Sequence, residues 1–188
     1  MTDAPPLQIL SDGAPSDYLS FFTALSNIAV VAVATCVAIN VGAPLLRPVV
    51  QAGAAQYIAV TAIITFFVLG PVNPFAGAAE LAASLQHIVV PLFYLGLWAV
   101  DLASGTLDRA DIWKWLLFPF LYGVYTLVRG AFVGWYPYGF LSAADLGYGA
   151  VFLNLGVLGA LFVLLGYATT AIDHALGRPS EVAHETSG

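Results

Sequence analysis

Apolar residues fall into five long blocks, separated by short stretches rich in proline, glycine and charge. The blocks run from about Tyr18 to Ile39, Gln56 to Val72, Glu80 to Asp101, Ile112 to Phe132 and Gly147 to Ile172. Each approaches the ~20 residues that a helix needs to cross a hydrocarbon core of roughly 30 Å. Lipid offers the backbone no hydrogen-bond partner, so a segment of this kind must satisfy itself as a helix. Asn40, Gly42, Pro44 and Pro48 end the first block, and Pro71 and Pro74 end the second. The pattern predicts an all-α integral membrane fold, a bundle of five transmembrane helices over residues 18–172. An acidic flexible leader (1–17) and a polar cytoplasmic tail (173–188) flank it. No repeat of 20–50 residues is visible.

Composition supports this reading. The 188 residues are 60% hydrophobic and 9% charged, against about 25% charged in an ordinary soluble domain. The net charge of −6 excludes nucleic-acid binding. The single cysteine, Cys36, excludes an internal disulfide and a thiolate metal cage. The first 17 residues carry no Lys or Arg and no apolar run, so they do not read as a cleavable signal peptide. With five spans, Arg47, Arg109, Lys114 and Arg178 fall on one side and Arg129 on the other. That asymmetry places the C-terminus in the cytoplasm, the N-terminus outside, and the chain in the cell's inner (plasma) membrane. Trp113, Trp115, Trp135, Tyr136 and Tyr138 lie near span ends, where amphipathic rings favour headgroups.

Polar residues inside the spans carry the chemistry. In the third span, Glu80, Ser84, His87, Pro91, Tyr94, Trp98 and Asp101 recur at alternating intervals of four and three, which puts them on one face. The first span has a matching stripe of Ser16, Ser20, Thr23 and Asn27. The fourth carries Tyr122, Tyr125, Thr126 and Arg129, and the fifth Asn154. Thr23 and His87 enter from the same side, at depths of roughly 8 and 10 Å for a rise of about 1.5 Å per residue. Asn154 and Arg129 lie near that level too. The expectation is one polar layer in the outer leaflet, formed by Thr23, Asn27, His87, Tyr125, Arg129 and Asn154.

Each of these residues also has a purely structural use. A threonine in a membrane helix commonly bonds the carbonyl one turn back. Asn27 and Asn154 suit interhelical hydrogen bonds, and Arg129 suits a headgroup phosphate. His87 stands apart, because an ionisable residue at this depth points to function. It is the only His within a span, which excludes a multi-His metal site, and no cofactor is implied. Thr23 and His87 have the residue types of a hydroxyl nucleophile and its base. Asn27, Tyr125, Arg129 and Asn154 are candidates to bind substrate or a developing oxyanion. A residue to orient the imidazole is not evident. Glu80 is roughly 10 Å along the helix from His87 and Asp101 roughly 21 Å, so the motif is a dyad unless another span contributes.

Three motifs resemble the androgen-induced integral-membrane hydrolase family, and its bacterial branch above all. They are Phe-Phe-Thr-Ala-Leu-Ser-Asn (21–27), His87-Ile-Val-Val-Pro91 followed by Trp98, and Tyr122-Gly-Val-Tyr-Thr-Leu-Val-Arg-Gly130 followed by Trp135-Tyr-Pro-Tyr138. The similarity extends from about Tyr18 to about Tyr167. Animal members are threonine hydrolases of lipid esters in which a fatty acid esterifies a hydroxylated fatty acid. The resemblance implies Thr23 as nucleophile and His87 as general base. The chain departs from the bacterial pattern at Leu97, where relatives often carry Asp before the tryptophan.

The expected function is therefore an integral-membrane lipid-ester hydrolase using a Thr/His pair within the bilayer, with membrane lipids and a lipid-like substrate as its partners. The same polar stripes also fit a non-enzymatic lipid-binding or small transport bundle, or a membrane assembly subunit.

Overall fold

A computed structural model describes residues 15–42, 44–70 and 73–177; most of the leader and the end of the tail lie outside the described residues. The described chain is an all-α bundle. Its five principal helices are α1 (Phe22–Ile39), α2 (Pro48–Leu69), α3 (Ala78–Leu102), α4 (Asp111–Val133) and α5 (Ala143–Leu176). All five are long and apolar enough to cross a membrane.

Local chemistry explains where these helices start and stop. Asn40 adopts a left-handed conformation (φ 52°) and donates its N–H back to Cys36 and Val37, closing α1. Pro48 opens α2 in the first turn, where a missing N–H is no loss. The helix thus begins eight residues before the expected Gln56. Ser142 caps α5 by accepting from the Asp145 N–H at 3.3 Å.

The far end of α5 corrects the expected tail boundary. The helix runs on to Leu176, so Asp173 and His174 belong to the bundle. Asp173 is fully buried. Its carboxylate accepts from Ser104 N–H at 2.7 Å and Leu107 N–H at 3.0 Å. The His174 Nε2–H donates to the Leu107 carbonyl at 2.7 Å. Backbone donors of the 103–110 connection thus compensate a carboxylate that would otherwise be costly to bury.

The centre of the bundle is α2, the most buried of the five helices. It packs against α1, α3, α4 and α5, and the small residues Ala52, Gly53, Ala54 and Ala55 let those helices approach. Trp115 lies against Gly53, where a Cβ would meet the indole at 3.0 Å, and its Nε1–H donates to the Val49 carbonyl at 2.8 Å. Trp115 is therefore part of the core, not the headgroup belt expected of it. Trp113, two residues away on α4, is exposed as that expectation requires.

On α3 the polar stripe turns inward, with Ser84, Pro91, Tyr94 and Trp98 buried, while Leu92, Phe93 and Val100 form the outer face. Asp101 is the exception and lies exposed at the helix end. The helix widens into π-helical turns at Leu85–Val89 and Trp98–Leu102. The first has a covalent cause. Pro91 has no N–H to offer the His87 carbonyl and its ring crowds that carbonyl. The Val90 N–H instead reaches back five residues to Leu85. A similar turn, Thr65–Leu69, ends α2. Turns of this kind recur at functional sites.

Candidate functional site: a threonine-lined cavity beside His87

One end of the bundle carries the start of α1, the end of α2, the start of α3 and the 134–142 connection. A cavity of about 480 Å³ opens there between α1, α2, α4 and α5. That lies within the range of about 300–1,000 Å³ common for small-molecule sites. Its wall is aliphatic and aromatic and includes no charged side chain among the described residues. Leu69, Phe120, Val124 and Phe152 line it and are exposed on the perimeter of the bundle. The cavity thus reaches the flank of the bundle that faces lipid if the helices span a membrane. Gly156 and Gly159 of α5 border it, and a Cβ on either would meet nothing within 4 Å.

The polar groups on the wall are hydroxyls. Thr23 is buried near the start of α1, and its Oγ1 lies 3.2 Å from the Tyr138 hydroxyl. That phenol oxygen also accepts the Thr23 N–H at 3.3 Å. Thr61 and Thr65 project from successive turns of α2. Thr65 Oγ1 sits 2.6 Å from His87 Nδ1 and donates to the Thr61 carbonyl at 2.9 Å. Tyr138 lies between spans, and burial pushes its phenol above the usual range against the opposing effect of its hydrogen bonds to Thr23. It therefore remains a hydrogen-bond donor well past neutral pH.

Thr23 and His87 are linked through their neighbours. Asn27 Nδ2 donates to the Thr23 carbonyl at 2.8 Å and to the carbonyl of Gln86, the residue before His87, at 3.3 Å. Tyr18 donates to the Gln86 side chain at 2.9 Å. These contacts fasten the Thr23 turn of α1 to the π-helical turn that bears His87.

The residues of the expected polar layer are engaged by different partners. Thr23 stands on the cavity wall, and His87 stands behind Thr65, which is its hydroxyl partner. Asn27 donates to backbone carbonyls on two helices and so ties α1 to α3. Asn154 donates to the Phe140 carbonyl at 2.8 Å and anchors the 134–142 connection. Tyr125 is half exposed and shares a 3.1 Å hydrogen bond with Ser20. Arg129 pairs with Asp17 and lies over the Trp135 ring, 5.2 Å from its centre. None of Asn27, Tyr125, Arg129 and Asn154 lines the cavity. Hydrogen bonds and ring contacts engage these four side chains away from the cavity wall.

Two wall residues, Thr65 and Tyr138, were not among the expected site residues. Thr65 had a signal in Tyr57, Thr61 and Thr65, a four-residue repeat on α2. Tyr138 had none, since a ring near a span end suits an interface equally well. No protein-family model matches the chain, and neither a curated protein nor a solved structure does.

Proposed function

We propose that the protein is an integral-membrane lipid-ester hydrolase in which Thr23 is the nucleophile and His87 the general base. The observation that carries this reading is that Thr23 and Thr65 share the wall of one apolar cavity, while His87 Nδ1 is held 2.6 Å from Thr65. A nucleophilic hydroxyl, an imidazole and an orienting group are the three parts that acyl transfer requires. The resemblance of residues 21–27 and 87–98 to the membrane threonine hydrolases supports the same roles.

In this reading an uncharged acyl chain enters from the bilayer past Phe120 and Phe152 and lies in the cavity with its ester carbonyl beside Thr23. The Thr23 oxygen bonds to the carbonyl carbon as its proton passes to His87 Nε2. The Tyr138 hydroxyl donates to the developing oxyanion. Collapse breaks the ester C–O bond, and the departing alkoxide takes the proton from His87. Water then adds to the threonyl ester, again giving a proton to His87, and returns Thr23 as the free hydroxyl with a fatty acid released. By the distribution of Arg47, Arg109, Lys114 and Arg178, the site lies toward the extracytoplasmic side of the plasma membrane.

Labelling of the purified protein in lipid nanodiscs with a fluorophosphonate probe tests this. The wild type should label, and Thr23→Ala and His87→Ala should each lose labelling while still folding. Labelling that survives both substitutions removes the mechanism. A protein that never labels, yet retains a bound acyl chain, would be a lipid-binding bundle instead.

A further inference from the structure

A hydroxyl has one proton to donate. The Thr61 carbonyl, 2.9 Å from Thr65 Oγ1, can only accept, so a hydrogen bond there takes the Thr65 proton. Its oxygen is then free to accept, and the atom 2.6 Å from it is His87 Nδ1. For that contact to be a hydrogen bond with the Thr65 proton so placed, the imidazole must carry its own proton on Nδ1. A neutral imidazole has only one, so Nε2 is left with a lone pair. The hydrogen bond made by one ring nitrogen thus sets the state of the other.

We propose that Thr65 is a positioning residue. Its hydroxyl accepts the Nδ1 proton of His87, fixes the ring's orientation and neutral tautomer, and so presents Nε2 as the base. This rests on the reading of Thr23 and His87 as a catalytic pair and supplies the orienting third member that α3 itself lacks. Thr65 and His87 each lie in a π-helical turn, at Thr65–Leu69 and Leu85–Val89. Thr61, which takes the Thr65 proton on its carbonyl, is fixed in turn by its side-chain hydrogen bond to Ser26 at 2.9 Å.

His174 provides a built-in contrast. Its Nε2 faces the Leu107 carbonyl at 2.7 Å, and a carbonyl can only accept, so its proton sits on Nε2. The two histidines should therefore show opposite neutral tautomers within one protein.

Nitrogen-15 NMR of ring-labelled histidine in nanodiscs tests the proposal, at a pH where imidazole is neutral. The His87 signals are assigned by their loss in His87→Gln. The expected wild-type result is the Nδ1–H tautomer for His87. Thr65→Val should shift His87 toward the Nε2–H form and slow fluorophosphonate labelling about tenfold, a part of the roughly 100- to 10,000-fold that a general base contributes; Thr65→Ser should restore both. A wild-type His87 in the Nε2–H form, or a tautomer unchanged in Thr65→Val, overturns the proposal. So does an adduct on Thr65 itself. Absence of labelling in the wild type overturns the hydrolase reading alone, because the tautomer is read without activity.

Discussion

The side-chain hydroxyls of Ser26 and Thr61 share a hydrogen bond of 2.9 Å, and that contact sets the level of α1 against α2. The two helices run in opposite directions. About one turn from the contact, toward the same end of the bundle, α1 carries Thr23 and α2 carries Thr65. Both hydroxyls line one cavity, above a polar contact that adds to the packing of α1 on α2.

Removing that contact should loosen the pair without unfolding the bundle. Ser26→Ala and Thr61→Val should show a coupling energy of about 0.6 kcal/mol, and no more than about 1.7, as for other interhelical hydrogen bonds in lipid. A double-mutant cycle on unfolding in mixed micelles measures the coupling. A coupling energy of zero would mean that the contact does not hold the register.

Filling the cavity should separate access from folding. Gly159→Leu places a side chain where a Cβ would meet nothing within 4 Å. The variant should keep the wild-type melting temperature within a few degrees yet lose labelling by a long-chain fluorophosphonate, while a short-chain probe is affected less. Equal loss of both probes, or none, would show that the cavity does not hold the acyl chain.

Alkaline pH should act through Tyr138. Its folded-state pKa is raised above the unfolded value of about 10. The native state then holds a proton that the unfolded state releases, so this contribution is intact below the unfolded pKa and disappears as pH rises through the folded one. Wild-type melting temperature should fall as pH climbs past about 10, and Tyr138→Phe should flatten that decline. Thermal melts across the alkaline range measure it, and parallel slopes for the two proteins would assign the loss to other groups.

The five spans were legible because membrane helices must be continuous and apolar. The inward stripe of α3 was legible because Ser84, Pro91, Tyr94 and Trp98 keep one helical face. Hydropathy alone misplaced two boundaries. Pro48 and Gln51 interrupt the apolar pattern of α2 although both sit in the helix, and Asp173 reads as solvated until the amides of Ser104 and Leu107 meet it. The site was harder to see. Thr23 and His87 stand out individually, but the partner of His87 is Thr65, 22 residues earlier on another helix. That pairing depends on how α2 and α3 pack against each other, which the periodicity of either helix alone does not encode. The contact of Tyr138 with Thr23 spans 115 residues and depends on how the 134–142 connection folds back, which no periodicity encodes.

The decisive measurement is the position of the covalent adduct. Wild-type protein in nanodiscs is reacted with a fluorophosphonate, digested, and the modified peptide sequenced by tandem mass spectrometry. The expected adduct lies on Thr23, formed in the wild type and absent when His87 is alanine. An adduct on any other residue, or one on Thr23 that forms equally well without His87, contradicts the pairing of this hydroxyl with this imidazole.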